Sequence, residues 1–143
     1  MWPGSFTSRS ARDAEWANGA PAATAETPMD RVRALRQMDG DADLLDQVLD
    51  AFRPMLPGVI DTLRQAARTR DLRAIQIAAH SMKGSAANIC ADAVRIAAAR
   101  LESAARQGET EAIPPLAQAL IQQLEHLERY LNERPTAAEG GRE

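Results

Sequence analysis

Between Leu72 and Ile89 the apolar residues stand at Leu72, Ile75, Ala79, Met82, Ala86 and Ile89. The steps are three, four, three, four and three. Only an α-helix gathers that spacing onto one side, as a seam that packs against neighbouring helices. A half-buried strand needs alternation instead. Asp71 stands just before the seam as an N-cap, so this helix is expected over about 71–89.

Other segments carry the same period. A short helix is expected over about 29–38, with Val32 and Leu35 facing inward. Asp39-Gly40-Asp41 ends it: the glycine permits the turn and an aspartate caps the next helix. The second segment, about 42–69, places Leu45, Val48, Leu49, Phe52, Leu56, Ile60 and Leu63 at helical spacing. Pro54 and Pro57 interrupt it, and an interior proline removes a backbone hydrogen bond and clashes one turn back. A fourth helix over about 92–107 buries Val94, Ala97, Ala98, Leu101 and Ala105, and Gly108 ends it. The last begins between Thr110 and Pro114 and runs to about Glu133 on a stripe of Leu116, Leu120, Leu124, Leu127 and Leu131. Pro114 and Pro115 fit only its first turn. Short loops make the last three helices antiparallel neighbours. The expectation is an all-α fold: an antiparallel up-down four-helix bundle with a short additional N-terminal helix. The bundle spans residues 28–134. Residues 1–27, rich in Gly, Pro, Ser, Thr and Ala, read as a disordered tail or linker, and 135–143 as a flexible C-terminal tail.

The bulk chemistry excludes several classes. Aromatics are only 3% of the chain, so the core is expected to be aliphatic and closely packed. A net charge of −3 makes no case for nucleic acid, which needs a basic stripe. The single cysteine, Cys90, excludes an internal disulfide and reads as a small packing residue. No apolar run approaches the roughly 20 residues that cross a bilayer. No signal peptide is evident, and a cytoplasmic location is expected.

The chemistry gathers around His80. It lies off the seam, on a flank with Arg73, Gln76, Ile77, Lys83, Gly84 and Ala87. Residues three and four apart share a helix face. Lys83 is the only lysine beside sixteen arginines. Gly84 costs a helix interior about 1 kcal/mol relative to alanine, which implies a use for the missing side chain. It stands where a side chain crowds the imidazole and closes one side to a partner. No carboxylate shares the flank. A metal site wants acidic or further histidine ligands at that spacing, and a general-base histidine usually has a carboxylate to orient it. A phosphoryl acceptor gains from the lack of negative charge, and an ammonium beside it neutralises the phosphate. His126 has neither glycine nor lysine near it and reads as a surface residue.

The run Ala79-His80-Ser81-Met82-Lys83-Gly84-Ser85-Ala86-Ala87-Asn88-Ile89 resembles the signature of histidine phosphotransfer (HPt) domains, the shuttles of multistep two-component phosphorelays. That pattern is a histidine, then lysine and glycine three and four residues on, then small residues. Leu101-Glu102 and Gly108-Glu109 resemble the family as well, and so does the apolar spacing upstream from Asp39 to Leu72. The likeness covers about residues 29–133. The chain departs from the family at Cys90, where a glycine is common in the turn out of the third helix.

The resemblance implies a role for each residue. His80 is the phosphoacceptor, through the ring nitrogen farther from the backbone. Lys83 and Gln76 stabilise the phosphoryl group. Gly84, Ile77, Ala87 and Ser81 form a docking area. Glu102, on the adjoining helix, orients the other imidazole nitrogen. No metal or cofactor belongs to the chain; Mg²⁺ is expected in the partner receiver domain. The implied partners are response-regulator receiver domains and a (hybrid) histidine kinase, met by a monomer that carries phosphate without being an enzyme. A histidine kinase dimerisation domain is disfavoured, because those carry an acidic residue after the histidine and a proline soon after. Here Ser81 follows, and no proline comes before Pro114. A non-catalytic helical adaptor that binds receivers without accepting phosphate is the alternative the sequence leaves open.

Overall fold

The computed structural model describes residues 27–133. The expectations for the two tails fall outside them, apart from Thr27. Among the described residues six α-helices succeed one another: α1 (Arg31–Gln37), α2 (Ala42–Phe52), α3 (Leu56–Thr69), α4 (Leu72–Asn88), α5 (Asp92–Arg106) and α6 (Ile113–Glu133). Short 3₁₀ turns at Arg53–Met55 and Thr110–Ala112 lead into α3 and α6. No strand occurs among the described residues. Helices α3, α4, α5 and α6 pack in a closed cycle, each against the next, with α4 on α5 the most extensive pairing. This is the antiparallel four-helix bundle, with α2 extending the α3 arm and α1 laid over one end.

The boundaries have their origin in local chemistry. Asp30, Asp41 and Asp71 each cap a helix, accepting from the backbone N–H of Arg33, Leu44 and Ala74 at 3.0–3.1 Å. A cap of this kind is worth about 1 kcal/mol. Pro54 and Pro57 divide the second segment as expected: the chain tightens into a 3₁₀ turn and restarts with Pro57 in the first turn of α3. Gly108, just past α5, has φ +73°, which glycine adopts without strain.

Cys90 is the exception among the turns. It holds φ +57° in the α4–α5 turn although it carries a β-carbon. A left-handed backbone at a non-glycine residue costs about 1–2 kcal/mol. The position therefore has the geometry a glycine prefers, and α1 supports the cysteine in it. The Asp30 N–H donates to the Cys90 carbonyl at 3.0 Å, and Gln37 Nε2 donates to Sγ at 3.2 Å. Arg33 pairs with Asp92 across the same turn at 2.6 Å. Burial pushes the thiol pKa up, which fits a packing residue.

The core is aliphatic. Leu45, Leu49, Leu56, Leu63, Ile75, Met82, Leu101, Leu120, Leu124, Leu127 and Leu131 are buried. Ala79 and Ala86 on α4 and Ala98 and Ala105 on α5 are buried too, small residues on the two helices that pair most extensively. Some expectations need correction. Val32 is exposed and Ala34 is the buried residue of α1. A helix of seven residues is too short for periodicity to set its rotation, so the surface it docks against decides. Leu72, Val48, Ala97 and Leu116 are only half-buried, at the margins of their stripes.

His126 is not a plain surface residue. It is half-buried, and its Nε2 is shut away without a hydrogen-bond partner. An unsatisfied buried polar group costs about 1–3 kcal/mol. His126→Leu is therefore expected to raise stability by about 1 kcal/mol in urea denaturation. A loss of stability on that substitution shows that the imidazole is satisfied in solution.

Candidate functional site

Helix α4 turns its seam into the bundle and leaves the His80 flank outside. The His80 side chain is 70% exposed, and Ile77 one turn earlier is 58% exposed. Gly84, Ala87 and Ser81 are exposed too, while Gln76 and Lys83 are half-buried. The flank thus sets small and apolar residues, with Arg73, Gln76 and Lys83 among them, around one imidazole.

Helix α5 supplies what α4 lacks. Glu102 lies among Leu101, Ala98 and Ala105 on the packed side of α5, and its side chain is only 4% exposed. A buried carboxylate is unfavourable unless its charge is met. Here it is met three times. His80 Nδ1 lies 2.7 Å from Oε2, Lys83 Nζ lies 2.7 Å from Oε1, and Arg106 donates to Oε2 at 2.8 Å. The Lys83 ammonium, seconded by His80, holds the Glu102 carboxyl below the ordinary carboxylate range, against the opposing pull of burial. An ionised carboxylate can only accept, so Nδ1 carries the ring proton. The lone pair of the neutral ring is then on Nε2.

An open groove of about 490 Å³ runs along this junction, lined by Arg73, Gln76, Ile77, His80, Ser81, Glu102 and Arg106. Most of the residues singled out in the sequence come together here. Lys83 joins through Glu102, while Gly84 and Ala87 continue the surface along α4 outside the lining. Gln76 lines the groove but makes no hydrogen bond to the imidazole. A β-carbon at Gly84 meets no described atom within 4 Å, so any crowding of the imidazole there needs a longer side chain. Among the described residues the space beside Gly84 is therefore open.

Arg106 is the residue that sequence reasoning missed. Its signal was the i,i+4 relation to Glu102 on a predicted helix, which places the two side by side. Among the described residues no three His, Cys, Asp or Glu side chains gather as a metal site, and no helix is long and apolar enough to cross a membrane.

The same architecture occurs in solved structures. The chain is similar to histidine-containing phosphotransfer protein B (HptB) from Pseudomonas aeruginosa PAO1, with a TM-score of 0.66 and 23% identity. It is also similar to the HPT domain of the Hpt sensor hybrid histidine kinase from Shewanella, with a TM-score of 0.70 and 17% identity. Each alignment covers 74% of this chain and 92% of the other. At such identities the likeness speaks for the fold. No curated protein matches the sequence. The model of the Hpt domain family matches residues 47–130, more than half of the chain. With His80, Lys83 and Glu102 all inside that match, the chain belongs to the Hpt domain family.

Proposed function

We propose that this chain is a phosphocarrier in which His80 takes a phosphoryl group from the aspartyl phosphate of one receiver domain and passes it to the aspartate of another. The observation that carries this reading is an exposed imidazole whose Nδ1 is held by a buried carboxylate at 2.7 Å. That bond presents Nε2 as the nucleophile. The Nε2 lone pair forms the N–P bond while the P–O bond to the receiver aspartate breaks, its electron pair leaving with the carboxylate. The proton stays on Nδ1, so positive charge develops on the ring in contact with Glu102. Return transfer reverses these changes.

The chain's part in this is positioning and neutralising charge, which is most of what phosphoryl transfer asks of a protein. Lys83 turns from Glu102 toward the phosphoryl oxygens, and Gln76 is a hydrogen-bond donor one turn away. Ile77, Ser81, Gly84 and Ala87 receive the face of the receiver. Mg²⁺ and the acidic residues of the reaction come from the receiver, and a (hybrid) histidine kinase stands upstream.

The test is transfer of labelled phosphate from a panel of phosphorylated receivers, with Mg²⁺, to the purified chain. Acid-labile, base-stable label on the chain is the expected result. Receivers that bind without transferring label select the adaptor reading instead.

The Glu102 interactions also predict a pH dependence. Its folded pKa lies below its ordinary value of 4.5, so its ionised form contributes stability above that value. The contribution is lost as pH falls through the folded pKa. Glu102→Gln is therefore expected to be less stable than wild type at neutral pH, with the gap closing as the solution is acidified below about pH 4. Urea denaturation of both proteins across pH checks this. A gap that persists unchanged in acid rules out the charge as its source.

A further inference from the structure

We infer that Arg106 is a positioning residue for phosphoryl acceptance: by sharing Oε2 of Glu102 with the imidazole, it sets how strongly that carboxylate holds the Nδ1 side of the His80 ring. This rests on the reading that His80 accepts phosphate, and it assigns a role to a residue outside the His80 motif.

A buried carboxylate bonded to an imidazole favours imidazolium, because the positive ring is the better partner. Imidazolium has protons on both nitrogens and no lone pair for attack. A His–Glu pair alone therefore orients the ring but also raises the share of the form that cannot attack. Here the carboxylate is shared with two cations, Lys83 on Oε1 at 2.7 Å and Arg106 on Oε2 at 2.8 Å. The two differ in how they can behave. Lys83 is a flexible ammonium on the helix of His80, and it is the cation that turns to the phosphoryl group. Arg106 lies one turn from Glu102 on the same helix, bonded to the very oxygen that His80 uses. When Lys83 leaves, Arg106 is what still offsets the carboxylate. A guanidinium stays charged throughout the range in which histidine titrates, so the offset is constant.

Among the described residues, the charged side chains around the groove at His80 come from two helices. From α4, Arg73 shares the groove and Lys83 meets the same carboxylate; from α5 come Glu102 and Arg106. Among the described residues, α3 and α6 contribute no side chain to the groove lining. Among the residues lining the groove Glu102 is thus the single anion, and Arg106 is the cation bonded to the same oxygen as His80.

The deciding experiment is NMR titration of the histidine rings in wild type, Arg106→Gln and Arg106→Lys, beside the pH profile of phosphoryl acceptance. The side chain of Arg106 is 56% exposed, so either substitution leaves the bundle intact. In Arg106→Gln the His80 midpoint is expected to rise by about half a pH unit or more. The acid limb of the transfer profile moves with it, so that acceptance falls severalfold at pH 6 and recovers at pH 8. Arg106→Lys restores both toward wild type. His126, on α6 and outside the groove, is the internal control and stays unmoved. An unchanged His80 midpoint in Arg106→Gln overturns the inference, and so does a rate loss equal at every pH, which is the mark of a docking role. A wild-type chain that accepts no phosphate sinks the phosphocarrier reading instead, and the titration still reports on Arg106.

Discussion

His80→Gln is expected to abolish phosphoryl acceptance and leave the fold and receiver binding in place. The loss is complete because no second nucleophile is prepared in the groove. Ser81 is beside His80, but no base takes its proton, and His126 lies on another helix with its Nε2 buried. The fold survives because the His80 side chain is 70% exposed and contributes little to the core. Glu102 is not orphaned either, since Lys83 and Arg106 still meet both of its oxygens. Stability is expected within about 0.5 kcal/mol of wild type, as for most surface substitutions. Labelling, calorimetric binding and urea denaturation of the same preparation separate these effects. Label persisting on His80→Gln shows that the acceptor is elsewhere.

Gly84→Gln is expected to have opposite effects on stability and transfer. A glycine inside a helix is unfavourable by about 0.5–1 kcal/mol, and its replacement by a good helix former recovers most of that. Among the described residues nothing meets a β-carbon at Gly84 within 4 Å, so the new side chain starts into open space. The variant therefore gains up to about 1 kcal/mol of stability. The same side chain stands one turn from His80, on the surface a receiver must approach. Transfer is expected to fall at least about tenfold, equivalent to some 1.4 kcal/mol of lost docking or alignment. Denaturation and transfer rates measured together give the result. A variant that is more stable and transfers normally removes Gly84 from the docking surface. One that is less stable means that the glycine serves the bundle.

Much of this molecule is legible in its residues alone. The 3–4 spacing from Leu72 to Ile89, the aspartates at 41 and 71, and the prolines at 54 and 57 are local signals. Each acts within a turn or two of helix, where backbone geometry alone decides which residues are neighbours. The His80, Lys83 and Gly84 grouping belongs to the same class, since three- and four-residue spacing suffices to put them on one face. Val32 escapes the pattern for want of length: seven residues in α1 are under two turns, and their rotation is set by docking on the α4–α5 turn.

Determined by sequence alone were the helices, their breaks, the aliphatic seams and the exposed flank that carries His80. The family resemblance pointed to Glu102, twenty-two residues further on, but only the tertiary structure sets it 2.7 Å from Nδ1 and brings Arg106 with it. That meeting depends on how closely α4 and α5 approach, and on which turn of one faces which turn of the other. A helical period fixes which side of each helix is buried. It does not fix how far one helix slides along its neighbour, and that slide places a buried carboxylate behind the imidazole.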